Sequence, residues 1–360
     1  VVKRWPSRRL ALGLSPTPTA GLMLLVAGIA LGPHGLNLLS EATLSSLDPA
    51  VSASLAALGA LVGLEIRVRR PREGRLLAAA NLEGGVTILV VAFGIAIVHY
   101  LSPAAGSMPW LLALMLGICA APSSTPAVPI GSPRGAVAAR IGDLDDVLPI
   151  VLGVVVVAWT RPGPPLALAS LVAQGAGIAL TVAVAGWLLI AQTSSESEQR
   201  VFAVGTLLLV GGAAAHLSTS ALFAGLVAGI FWNATSTPAR DAIARDLRYL
   251  QHPLVVLLLV VAGGRLELTS SLWGLVIAFV VLRLAGKLAG GWIAGRAAPE
   301  LPGDLGFRLS APGVAAVAIA LDASQAQGGP EAATMFAIVI AGSLGSELIS
   351  VMGSRQHEIV

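Results

Sequence analysis

The sequence predicts an all-α polytopic membrane protein of about twelve transmembrane helices, with no soluble domain. Three observations carry this. Hydrophobic residues make up 56% of the 360 and charged residues only 11%, where a soluble domain carries about 25% charged residues. The apolar runs are of the length, roughly 20 residues, that crosses a bilayer. The basic residues gather in every second loop.

The predicted segments lie near 17–32, 49–65, 76–100, 109–130, 135–159, 165–191, 201–217, 219–233, 251–266, 271–295, 307–324 and 331–351. The two short ones around His216 could also form one bent hairpin. Loop charge supports the count. With a cytoplasmic N-terminus, the inside loops take Lys3, Arg4, Arg8 and Arg9, the run Arg67–Arg75, Arg134, Arg140, Arg200, Arg240, Arg245, Arg248, Arg296, Arg308 and Arg355. The outside loops take only Arg161 and Arg265, while Arg283 and Lys287 fall within a segment. That alternation is the positive-inside pattern, and it puts both termini in the cytoplasm. The opening KRWPSRR reads as a cytoplasmic lead-in, not a signal peptide. The polar stretches 192–200 and 233–251 read as loops, the second with a short amphipathic piece.

Composition also excludes. A formal charge of +3 does not point to nucleic acid, and the single Cys119 excludes an intrachain disulfide framework. No GxxxxGK[ST] supports ATP-driven pumping, and His34 and His216 form no cluster of metal-ligand spacing. Gly225/Gly229 and Gly286/Gly290 have the GxxxG spacing of close helix packing.

The chemistry gathers on AARIGDLDDVLPIVL. Asp145 and Asp146 fall inside a predicted membrane helix, where a charge costs about 2.5–3.5 kcal/mol on insertion scales. Adjacent residues on a helix point about 100° apart, so one carboxylate can meet a cation while the other faces a cavity. Close carboxylates titrate as a pair, and such a group can exchange a proton for a metal ion. Asp143 is read as wet or as a helix start. Pro149 has no N–H for the Asp145 carbonyl, which leaves either a free oxygen ligand or a packing kink.

Lys287, in LRLAGKLAGGWIAG, is too deep to snorkel and needs a counter-charge; the Asp pair is the candidate. Arg283, one turn earlier, is expected nearer the outside, lining a vestibule. Glu65 and Glu83 are expected at the interface, and Glu347 is left open. In CAAPSSTPAVPIGSPRG, Pro122, Pro126 and Pro129 break the helix, and Ser123, Ser124 and Thr125 bring hydroxyls beside unwound carbonyls. Oxygen ligands of this kind hold hard monovalent cations. A matching break, Ser310, Pro312 and Gly313, lies in RLSAPGVAAVAIALD. Paired breaks in two halves point to a transporter's midplane site and an inverted repeat.

These blocks resemble the cation/proton antiporter superfamily, sodium/proton exchanger type. GLMLLVAGIALGPHGLNLL resembles its first-helix signature and LGALVGLEIRVRR its following helix end. SSTPAVP resembles its broken-helix motif, with Ser124 and Thr125 at the ion-site pair. LDDVLPIVL resembles its double-aspartate site. LSTSALFAGLVAGIFWN, HPLVVLLLVVAGGRLEL and LRLAGKLAGGWIAG resemble later blocks in the family's order. The sequence departs in Pro149, where relatives often have Gly, and in SAPGV, which lacks charges that many relatives carry. It also reads as lacking a first helix and a nucleotide-binding regulatory domain found in some relatives.

The resemblance implies a homodimer in the inner (plasma) membrane, with two crossing discontinuous helices. A mobile core would take 76–159 and 271–351, a dimerisation part 17–65 and 201–266, with 165–191 as the linker helix. Asp146 would bind the ion with Asp145, Ser124 and Thr125 beside it. Asp145 would pair with Lys287 and break that pair with protonation. The implied activity is electrogenic exchange of Na⁺ or Li⁺ for H⁺, without enzymatic chemistry or a cofactor. K⁺/H⁺ exchange and a non-transporting sensor or subunit are the alternatives. An intramembrane hydrolase is disfavoured, because the two acids sit on one helix.

Overall fold

Backbone in lipid must satisfy its own hydrogen bonds, and helices do this within one segment. A computed structural model describes residues 19–66, 71–101, 110–124, 133–161, 163–193, 195–235, 238–298 and 301–357. The helices are α1 (Thr19–Leu31), α2 (Glu41–Ser46), α3 (Asp48–Glu65), α4 (Pro71–Tyr100), α5 (Trp110–Ala120), α6 (Pro133–Gly142), α7 (Val147–Trp159) and α8 (Pro165–Gln192). They continue with α9 (Glu196–His216), α10 (Ala221–Ala234), α11 (Pro238–Gly264), α12 (Trp273–Ala297), α13 (Leu305–Arg308), α14 (Val314–Gln327) and α15 (Gly329–His357). Each predicted segment holds at least one of them. Six described helices are long and apolar enough to cross a membrane: those of α3, α4, α8, α11, α12 and α15. The chain is a multi-pass membrane protein.

Small residues decide which helices touch. α3 is buried on all sides from Val51 to Leu64. On it, Gly59 meets the Leu222 carbonyl of α10, and in return Gly225 and Gly229 meet the carbonyls of Ala56 and Ala60. Two backbones come this close only where a glycine leaves out the Cβ at each contact. α1 and α11 cross in the same way at Gly28 and Gly263. α8 buries one stripe, Gly175, Ala179, Ala183, Gly186 and Ile190, and the Trp232 indole donates to the Ala183 carbonyl at 3.0 Å. Its other residues are exposed or part-buried.

This packing is testable. Gly225→Ala places a Cβ on the Ala56 carbonyl and is expected to destabilise the fold by about 1–3 kcal/mol, the usual cost of overpacking. Gly212→Ala meets nothing within 4 Å and is expected to leave thermal unfolding in detergent unchanged. Equal behaviour of the two variants would contradict the close approach.

Two expectations are corrected. The segment 233–251 is not a loop: from Pro238 it is helical and continuous with the next span, with Pro253 inside α11. It buries Ala242, Ile243, Ala244 and Leu247 on one face, so the amphipathic piece packs as the first turns of a long helix. The two predicted segments around His216 are two separate helices, α9 and α10, parted by Ser218 at φ 50°. The predicted 135–159 helix is interrupted at 143–146.

Candidate functional site

Three interruptions of the chain meet at one place. α5 stops at Ala120, because Pro122 cannot continue it. α13 stops at Arg308, and Pro312 and Gly313 separate it from α14. The exposed backbone of each break is satisfied by the other. Ser124 N–H donates to the Ala311 carbonyl at 3.0 Å, and Gly313 N–H donates to the Pro122 carbonyl at 3.2 Å. Ser123 and Pro312 pair as an isolated antiparallel bridge. Only glycine fits at 313, where a Cβ would lie 2.9 Å from the Ser123 carbonyl oxygen.

The third interruption carries the carboxylates. Residues 143–146 form a turn between α6 and α7, in which Leu144 and Asp145 both donate to the Ile141 carbonyl at 2.9 Å. Pro149 sits in the first turn of α7, where its missing N–H is tolerated. Asp145 and Asp146 therefore stand at a helix start, not within a continuous helix. Asp145 is fully buried, and Ser123 N–H donates to its Oδ1 at 3.4 Å. Asp146 is 9% exposed, and its Oδ1 has no hydrogen-bond partner among the described residues. The Ser123 hydroxyl is likewise buried and unpartnered among them. Ser124 lies at the crossing, while Thr125, Pro126 and Pro129 lie outside the described residues. Asp143 is part-buried rather than wet. It lies 3.9 Å from Arg140, which also pairs with Glu65 at 3.2 Å and Glu73 at 3.0 Å.

Lys287 reaches the turn from α12. Gly286 and Gly290 let α12 lie against α4: a Cβ on them would sit 3.1 Å from the Thr87 Cα and 2.6 Å from the Glu83 carbonyl oxygen. The ammonium lies 3.1 Å from Glu83 Oε2 and 3.4 Å from Asp145 Oδ2, and it donates to the Ala121 carbonyl. Its three N–H donors match these three acceptors. Glu83 is thus not interfacial. It is fully buried, about 18 Å along α4 at 1.5 Å per residue from Pro71. Thr87 Oγ1, one turn on, donates to its Oε1 at 3.2 Å. An acid inside AANLEGGVTILVV with a hydroxyl four residues later was the available signal, and length counting from the segment edge hid it.

Arg283 is also displaced from its expected vestibule. It is 1% exposed. Its guanidinium donates to the carbonyls of Ser310, Pro122 (3.0 Å) and Ala311 (3.3 Å), at both breaks. Among the described residues, the unwound carbonyls of Ala121, Pro122, Ser310 and Ala311 therefore already serve Arg283 or Lys287.

Sequence reasoning passed over Asp322 in AIALDAS. Its Oδ1 accepts from Ala221 N–H at 2.9 Å and Leu222 N–H at 3.3 Å, at the start of α10. Three residues on, Gln325 donates to Asp48 at 2.9 Å, as Arg265 does at 2.6 Å. These residues line a cavity of about 290 Å³ with Ser218 and Thr219. The pair Asp322 and Gln325 ties α14 to the starts of α10 and α3.

The paired breaks and the carboxylate turn form one architecture, set in a fold that has a solved counterpart. The chain matches the structure at pH 8 of the sodium proton antiporter MjNhaP1 from Methanocaldococcus jannaschii, with a TM-score of 0.64 and 15% sequence identity. The match covers 92% of this chain and 91% of that one. The chain has a sodium/proton antiporter fold. No protein-family model and no curated protein matches the sequence. Within this antiporter fold, the arrangement offers one buried carboxylate with an oxygen unpartnered among the described residues, beside a second carboxylate held by Lys287. Such a pair can take a small monovalent cation or protons in competition.

Proposed function

We propose that the chain is a secondary active antiporter that exchanges Na⁺ or Li⁺ for H⁺. The observation that carries this reading is Asp146 Oδ1, buried and unpartnered among the described residues, next to an Asp145 held by Lys287. Cation and proton compete for Asp146, and we assign Asp145, Ser124 and Thr125 as the further ligands, with the Ser123 hydroxyl as an added candidate. When Asp145 takes a proton it releases Lys287, which Glu83 still holds. The core, 76–159 and 271–351, rocks against the dimerisation part, 17–65 and 201–266, with 165–191 as the linker helix, and the site faces each side in turn. Twelve spans with both termini cytoplasmic, an inverted repeat and a homodimer in the inner membrane complete the reading. The cycle is electrogenic.

Proteoliposomes carrying an imposed pH gradient test it. Added Na⁺ or Li⁺ is expected to dissipate the gradient, with an apparent KM for the cation that rises as the pH falls, as competition for one carboxylate requires. Charge movement on a supported membrane checks electrogenicity. Dissipation by K⁺ alone would make the protein a potassium exchanger. Cation binding without flux would make it a sensor or subunit that keeps the fold.

A further inference from the structure

A buried cation ordinarily needs a carboxylate. Lys287 has two within ion-pair distance. Among the described residues Arg283 has none, although it is 1% exposed. What its two terminal nitrogens meet is oxygen of another kind, while Nε is buried and has no hydrogen-bond partner among the described residues. Pro122 lies two residues beyond the end of α5, and Ser310 and Ala311 lie two and three beyond the end of α13. Carbonyls at a helix C-terminus lack helical donors and carry the negative end of the helix dipole. The guanidinium is planar, and its donors are spread as a fork that can reach several acceptors at once. It takes one carbonyl from the first break and two from the second.

We propose that Arg283 is the resident cation of the crossing, a positioning residue that fills a cage of main-chain carbonyls and ties the two breaks into one unit. α12 runs unbroken through this region, so Arg283 and Lys287, four residues apart, rise from one face. Between them they take the carbonyls of Ala121, Pro122, Ser310 and Ala311. Two consequences follow. The crossing moves with α12 as a body during any rocking. A transported ion finds those four carbonyls already engaged by a resident cation. The second consequence rests on the antiport reading; the cage itself does not.

Removing the side chain leaves a site for a free guanidinium ion. In detergent, guanidinium chloride well below denaturing concentration is expected to raise the unfolding temperature of Arg283→Ala. It should not raise that of wild type, and neither urea nor choline chloride should reproduce the effect. In proteoliposomes Arg283→Ala is expected to exchange at least about tenfold more slowly, in line with the loss of charge-assisted hydrogen bonds. Guanidinium should restore the rate. Absence of any differential stabilisation, or wild-type exchange by the alanine variant, would overturn the proposal. If Arg283→Ala cannot be purified, Arg283→Lys and Arg283→Gln decide. Lysine keeps the charge and is expected to keep exchange where glutamine loses it, and equal behaviour would overturn the proposal. If wild type itself moves no ions, the antiport reading falls, while the thermal measurement still judges the cage.

Discussion

Asp146→Asn is expected to cut cation-coupled proton movement at least ~100-fold while leaving the protein folded. The substitution keeps the shape and removes the charge. A unit charge 4 Å from a cation contributes about 4 kcal/mol at an effective dielectric of 20, and every 1.36 kcal/mol is a factor of ten. Asparagine also cannot carry the exchanged proton, so both fluxes stop together. Folding is spared because Asp146 Oδ1 has no hydrogen-bond partner among the described residues to lose. Thermal unfolding in detergent checks the fold, and gradient dissipation in proteoliposomes checks transport. Unchanged exchange in a folded variant would remove Asp146 from the ion site.

How much of this was legible depended on whether a signal was local. Apolar runs located the long helices, because lipid imposes length and hydropathy on each span separately, whereas the six-residue α2 lies outside every predicted segment. The double aspartate and Lys287 stood out for the same reason: a charge is costly within a predicted span. The partnership of Lys287 with Glu83 was not legible. It depends on Gly286 and Gly290 bringing α12 onto α4, a contact between residues 204 apart in sequence. Arg283 was misplaced because its acceptors are backbone carbonyls, which leave no mark in side-chain composition. Asp322 was missed because a helix-start acceptor normally sits a few residues away on its own chain, and here it comes from α14, 101 residues from Ala221.

The buried triad of Lys287, Glu83 and Asp145 yields the second large effect. Lys287→Met is expected to destabilise the protein by about 3–5 kcal/mol, the cost of leaving buried carboxylates without their cation. Both carboxylates and the ammonium are fully buried, so water cannot substitute. Glu83→Gln alone should cost less, since Lys287 keeps Asp145 at 3.4 Å and the Ala121 carbonyl. It should also slow exchange, because Lys287 then has Asp145 as its only carboxylate and holds it more tightly. The double variant, Glu83→Gln with Lys287→Met, is expected to be more stable than Lys287→Met alone, since one of the two stranded charges is gone. The double-mutant cycle, read by thermal or denaturant unfolding, should therefore give a coupling of about 0.5–3 kcal/mol, as residues in contact do. Strict additivity would mean that Glu83 and Lys287 do not interact in the folded protein. The division of Lys287 between Glu83 and Asp145 would then fail with it. A coupling of that size with unaltered exchange in Glu83→Gln would keep the pair as a structural tie and assign release of Lys287 to Asp145 alone.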